Sequence, residues 1–173
     1  MKACLIRHQR VVVPPGLCYG WCDVPLADGW RDEIAAIRAA LPWPAREVWC
    51  SPAARCRVLA EALGAATVRC DPRLRELGMG EWEGRLWESF RGPESEAWAL
   101  DPWRRRPPGG ESGEDLWRRV ARVREECLAS RVDRLVIVTH AGVIRAWRGL
   151  SEGRSFTGML GEPVPFGGVH PAG

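Results

Sequence analysis

Lysine is almost missing from this sequence: Lys2 is the only one among 25 basic residues. Ala, Gly and Pro are abundant alongside Arg, so the arginine habit reads as a compositional bias and does not by itself signal phosphate binding. A large charge excess is missing too. The net charge of +3 is too small to define a nucleic-acid-binding domain. None of the seven Cys forms a C-x-x-C pair, which removes the spacing of a zinc ribbon. No stretch approaches the roughly 20 apolar residues of a membrane span. The opening apolar run, Ala3–Ile6, is too short for the core of a signal peptide and leads straight into charge. A chain of 173 residues buries about two-thirds of the surface it exposes when unfolded and needs no disulfide or metal for a core. The expectation is a reduced, cytoplasmic protein, one domain over residues 1–173, that binds neither nucleic acid nor membrane. No feature sets an oligomeric state.

What is present is a regular alternation of short apolar runs and helical stripes. Ala3–Ile6, Val48–Cys50, residues 66–70 and Leu135–Val138 read as strands. Cys4, Cys50 and Cys70 fall in these runs, where a free Cys acts as a small hydrophobe. Trp30, Ile34, Ile37 and Leu41 share one helical face, which Pro42 and Pro44 end. Ser51-Pro52 reads as the N-cap and first residue of a helix through Arg55, Val58, Leu59 and Leu63, ending at Gly64. Ser112 and Asp115 form a capping box for Leu116, Val120, Val123 and Cys127. The strand at 135–138 passes through His140 into a helix with Val143, Ile144 and Trp147. Strands alternating with helices imply an α/β fold, a three-layer α/β/α sandwich with a mainly parallel central sheet. Residues 71–110 and the Gly/Pro-rich tail after Trp147 carry no clear periodicity.

Ligands of open α/β sheets bind beyond the carboxyl ends of the strands. The first strand delivers Arg7 and His8 there. The second delivers Ser51, Pro52 and Arg55. The third is followed by Arg73, Arg75 and Glu76, and the fourth by His140 and Gly142 at a helix start. Guanidinium grips phosphate oxygens bidentately. A helix N-terminus favours an anion, a neutral imidazole is a nucleophile, and a carboxyl group can protonate a leaving alkoxide. The set suits a phosphoryl group.

These residues stand in motifs that resemble those of the histidine phosphatase superfamily, the phosphoglycerate mutase-like proteins. Leu5-Ile6-Arg7-His8 resembles its Arg-His signature. Tyr19-Gly20-Trp21-Cys22-Asp23-Val24-Pro25-Leu26 is similar to its aromatic-x-Gly-x-x-Asp-x-x-Leu segment, and Ser51-Pro52-Ala53-Ala54-Arg55 to its Ser-Pro-x-x-Arg. Leu74 to Gly84, with Glu76, Gly80, Trp82 and Glu83, Gly110-Glu111-Ser112, and His140-Ala141-Gly142-Val143-Ile144-Arg145 follow in the family's order. The resemblance implies that His8 is the phosphorylated nucleophile and that Arg7, Arg55, His140 and Gly142 bind the phosphoryl group. It makes Glu76 the general acid and then the base for water, so that His8, Glu76 and His140 are the catalytic residues. It implies a phosphomonoesterase with no cofactor and no metal, acting on a small-molecule phosphate monoester. The wording around Cys18–Leu26 resembles the α-ribazole phosphatase branch, which points to α-ribazole 5′-phosphate or a related nucleoside-like 5′-phosphate of cobalamin biosynthesis. Three departures stand out: Gln9 where the family has Gly, Arg10-Val11 where it has an acidic or amide residue followed by Ser/Thr, and Pro14 near a position that is Asn in some members. The tail after Trp147 is shorter than in the mutases, which weighs against mutase activity.

Plainer readings compete. A broad-specificity sugar-phosphate phosphatase or a catalytically weak phosphate-binding module would carry the same motifs. A metallohydrolase lacks ligand spacing, and a nucleic-acid binder lacks charge. His170 reads as structural or solvated, Arg104–Arg106 as a solvated face and Glu81 as a salt-bridge partner. Trp30, Trp49, Trp117 and Trp147 read as core, whereas Trp21, Trp82 and Trp87 lie near the proposed crevice, where they could stack on a base, although packing is the safer reading.

Overall fold

A computed structural model describes residues 2–130 and 132–172. Its sheet contains β1 (Lys2–Arg7), β2 (Glu47–Cys50), β3 (Thr67–Cys70), β4 (Arg134–Thr139) and β5 (Val169–Ala172), in the order β3-β2-β4-β1-β5. β1 and β2 both run parallel to β4, with Leu5 opposite Ile137 and Trp49 opposite Ile137 from the other side. β5 alone is antiparallel and pairs with β1.

The helices cover both faces. Alternate strand residues point to opposite sides, and this divides the core in two. Leu5, Trp49, Leu135 and Ile137 pack against α4 (Gly113–Ala129) and α5 (Ala141–Glu152). Ile6, Val48, Val136 and Val138 pack against α1 (Trp30–Ala40) and α2 (Ala54–Ala62). Two shorter helices, α3 (Pro93–Leu100) and α6 (Phe156–Met159), lie outside these layers in the sequence-irregular regions. The α/β/α sandwich with a mainly parallel sheet is therefore present. Among the described residues, no helix is long and apolar enough to cross a membrane.

α4 follows the sequence expectation. Its capping box is closed by Asp115 N–H donating to Ser112 Oγ (3.2 Å) and Ser112 N–H to the Asp115 carboxylate (2.9 Å), and its apolar stripe is buried. α2 does not. It starts at Ala54, with Ala53 as an N-cap that offers no side-chain bond. Ser51 is still part of the sheet: its N–H donates to Val138 O at 3.0 Å, and the following Pro disfavours helical backbone there. Its hydroxyl is thereby freed for the site. Cys4 and Cys50 are buried as expected, but Cys70 is exposed because β3 is the sheet edge.

Candidate active site

The sheet ladder runs on past the strands and fixes the first residues of each loop. His8 N–H donates to Thr139 O at 3.0 Å, and Asp71 N–H to Cys50 O at 2.9 Å. His8 is thus held one residue beyond β1, only 2% exposed. Its Nδ1 lies 2.8 Å from Gln9 O. A carbonyl only accepts, so Nδ1 carries the proton and Nε2 keeps its lone pair. Burial pushes the His8 pKa down to about 3, helped by Arg55 and Arg7 and opposed by the bond to Gln9. The ring is a neutral imidazole at physiological pH.

His140 stands at the N-terminus of α5, its ring edge-on to His8 with centroids 5.2 Å apart. Burial first, then the nearby Arg55, holds its pKa well below the ordinary value. Its Nε2 is 2.8 Å from Ser51 Oγ, and its Nδ1 is 3.4 Å from Arg55 Nη2. Arg55 is buried, and its two terminal nitrogens donate to Cys22 O (3.0 Å) and Gly20 O (2.6 Å). This ties the Tyr19–Cys22 loop to α2. Arg7 donates to Val164 O and lies over the Phe166 ring, 3.7 Å from its centroid. Burial lowers its pKa, although Glu76 and Tyr19 oppose that. Among the described residues, Nε of both Arg7 and Arg55 is buried without a partner.

Glu76 comes from the loop after β3. Its carboxylate accepts from Leu77 N–H (2.9 Å) and from Gly142 N–H (3.2 Å). The Gly142 amide, expected on a phosphoryl oxygen, is thus engaged by Glu76, where a carboxylate meets the positive end of α5. A Cβ on Gly142 would come within 2.2 Å of Glu76 Oε1, so only glycine permits this approach. Of the other charges expected from this loop, Arg73 is drawn away by Asp71 and Glu126, and Arg75 lies over Trp21.

Several residues that hold the site carried no assigned role in the sequence. Arg119 pairs with Glu111 (2.8 Å) and donates to the carbonyls of Arg73, Arg75 and Glu76, clamping the loop that presents Glu76. Glu111 in turn accepts from Gly78 N–H. Glu83 accepts from the backbone N–H of Gly20, Trp21, Cys22 and Met79. Burial raises its pKa, but these bonds outweigh it and the net shift is downward. Both Glu111 and Glu83 stand in motifs quoted above, so their positions were visible although their partners were not. Phe166 and Val164 belong to the unassigned tail and had no signal. Gln9 is fully buried, and its amide has no partner among the described residues.

A cavity of about 280 Å³ opens beside Glu76 and Gly142. Tyr19, Trp87, Trp98, Leu116 and Phe156 line it, with Arg145 one helical turn beyond Gly142. Trp82 does not line it. At 3% exposed it stacks on Phe90 in a small aromatic core with Trp98. Trp21, 45% exposed, donates from Nε1 to Glu76 O and steadies the loop from outside. Glu81 makes no ion pair among the described residues. No group of three or more His, Cys, Asp or Glu among them could hold a metal ion.

Two neutral imidazoles and two guanidiniums at the carboxyl edge of a parallel sheet define a protein that handles phosphoryl groups. Residues 3–164 match the histidine phosphatase superfamily (branch 1), and the chain belongs to that family. A phosphoglycerate mutase structure from Thermus thermophilus is 31% identical, with a TM-score of 0.75 over 99% of this chain and 92% of that one. The α-ribazole phosphatase of Shigella flexneri shares the fold at 23% identity, with a TM-score of 0.88 over 99% of this chain and 89% of that one. A Hydrogenobacter thermophilus protein, provisionally named phosphoserine phosphatase 2, is 29% identical over 82% of this chain and 74% of its own length. The family supports a phosphatase acting on a small phosphorylated substrate.

Proposed function

We propose that this phosphatase is a metal-independent phosphomonoesterase working through a phosphohistidine on His8. The observation that carries the reading is the His8 ring, neutral, its Nδ1 proton turned back onto Gln9 O and its Nε2 lone pair free. Nε2 attacks phosphorus as the ester P–O bond breaks. Arg7 and Arg55 neutralise the equatorial oxygens in a site largely shielded from water, where such interactions are strongest. His140 completes the clamp. Arginine only donates, so in the free site His140 Nδ1 accepts from Arg55 Nη2 and Nε2 carries the proton toward Ser51 Oγ. Once Arg55 turns to the phosphate, the Ser51 hydroxyl, which both donates and accepts, permits the other tautomer, with Nδ1–H donating to the phosphoryl group. Glu76, as the general acid, gives a proton to the departing alkoxide. As a carboxylate it then takes a proton from water, whose oxygen attacks phosphorus and releases His8 and inorganic phosphate.

The substrate reading rests on the cavity beside Glu76, where the alcohol departs. Its walls are mainly apolar and aromatic, which favours a bulky leaving group over a small, fully polar one. A nucleoside-like 5′-phosphate fits this, with α-ribazole 5′-phosphate of cobalamin biosynthesis the leading candidate in a reduced cytoplasmic setting. Trp87 and Trp98, rather than Trp82, would border the base. The names of the three relatives diverge and do not choose among substrates. Turnover of p-nitrophenyl phosphate in EDTA tests the reaction class. Labelled substrate quenched in base should leave acid-labile label on wild-type protein and none on His8→Ala. Near-normal turnover by His8→Ala would sink the mechanism. α-Ribazole phosphate, AMP, ribose 5-phosphate, phosphoglycerate and phosphoserine compared at one pH test the substrate. A flat profile would favour a broad-specificity enzyme.

A further inference from the structure

We propose that Phe166, in the tail before β5, is a positioning residue that holds the Arg7 guanidinium in its phosphoryl-binding pose. The inference rests on the reading that Arg7 grips phosphate. The tail encloses the Arg7-His8 dipeptide along its length. Arg7 N–H donates to Gly168 O (3.1 Å), and Gly167 N–H lies 3.2 Å from both Arg7 O and His8 O. Val164 O takes one terminal nitrogen of the guanidinium. The ring of Phe166 takes its face, 3.7 Å from Arg7 Cζ, and reaches toward His8, 5.5 Å between centroids.

That placement meets two needs. An arginine side chain has many rotamers, and freezing it for each turnover weakens binding. One nitrogen and one face held by the tail leave the rest of the guanidinium pre-aimed. A buried guanidinium also loses its water, and the negative face of an aromatic ring replaces part of that solvation without competing for its N–H donors. Phe166 keeps 36% of its surface exposed, although an apolar ring gains by burial. Its position is better explained by what it covers than by packing. Gly167, at φ 68°, sets the bend that turns the ring onto Arg7.

The test is a double-mutant cycle read by the affinity for inorganic phosphate, measured by calorimetry so that no turnover is needed. The proteins are wild type, Phe166→Leu, Phe166→Trp, Arg7→Ala and Arg7→Ala/Phe166→Leu. Phe166→Leu should weaken phosphate binding by about two- to thirtyfold, the span of cation–π contacts from exposed to desolvated. Phe166→Trp should restore most of that. In the Arg7→Ala background, Phe166→Leu should change nothing further. Equal losses in both backgrounds would overturn the proposal. So would a Phe166→Leu protein with a lower Tm but unaltered phosphate affinity, since the ring would then only pack. Absence of phosphate binding by the wild type would overturn the phosphoryl reading of Arg7 along with it. Wild-type protein that shows the coupling but turns over no p-nitrophenyl phosphate would remove the phosphatase mechanism and leave the role of Phe166 standing.

Discussion

Acidification should destabilise this protein before its carboxylates titrate, because two histidines are buried uncharged. An unfolded histidine has a pKa near 6.5. The folded value for His8 is about 3, and that for His140 is also well below the ordinary one. A histidine with a depressed folded pKa stabilises the fold above pH 6.5 and loses that contribution as pH falls toward the folded value. At pH 5.5 the unfolded chain binds nearly one more proton at His8 than the folded one, which removes about 1.4 kcal/mol. For His8 the loss grows to about 2.7 kcal/mol at pH 4.5, and His140 adds to it in the same direction, against a typical total stability of roughly 5–15 kcal/mol. His170 shifts in the same direction but is only partly buried. Asp115, at about 2, and Glu83 lose their contributions only below the ordinary carboxylate range, so the interval from pH 7.5 to 5.5 belongs to histidine. Urea denaturation at both pH values measures the difference. His8→Asn should take about 1.4 kcal/mol out of that loss. A wild-type difference below about 1 kcal/mol would refute the assignment of both rings as neutral and buried. The same shift implies that an acid limb near pH 6 in kcat/KM reports the second ionisation of the substrate phosphate, near 6, and not His8.

Arg55→Ala should lower kcat/KM about a hundredfold or more, by analogy with loss of one oxyanion donor, and Arg55→Lys should recover only part of it. Unchanged steady-state kinetics would remove Arg55 from the phosphoryl site. Glu76→Gln should slow single-turnover cleavage of an alkyl phosphate far more than that of p-nitrophenyl phosphate, whose leaving group needs no proton; equal slowing would make Glu76 a structural cap on α5. Arg119→Met leaves three carbonyls and Glu111 without their cation and should cost about 2–3 kcal/mol in urea denaturation. A smaller loss would mean that the Glu76 loop is held by other contacts.

The parts of this molecule that were legible in the sequence are those set by neighbours in the chain. Leu135–Val138 reads as a buried strand on composition alone, and the α4 stripe with its Ser112–Asp115 box follows from spacing. His8, Arg55 and His140 were placed because motif and strand end coincide, and the structure brings all three together with Arg7 and Glu76. Ser51 shows the opposite case. Its local signal is that of a helix cap, but the bond that decides its conformation comes from Val138 in another strand. Trp82 takes the plainer of its two readings, packing, because Phe90 and Trp98 close over it away from the cavity. α3 has almost no apolar stripe to betray it. The tail meets Arg7 from 157 residues away, and no local pattern encodes such a contact.

β4 sits between β1 and β2 in the sheet, and this constrains how the chain acquires its structure during synthesis. β1 and β2 emerge first but have no edge in common; β2 can pair with β3, whereas β1 waits for Arg134–Thr139. Contacts this distant in sequence must close long loops before they return any stabilisation, which slows folding. Until β4 and β5 have left the ribosome, the apolar strand beneath the nucleophile lacks both of its sheet neighbours. Such unpaired edges invite aggregation. The order of strands that brings His8 beside His140 thus also leaves β1 with bare edges in the nascent chain until β4 has been made.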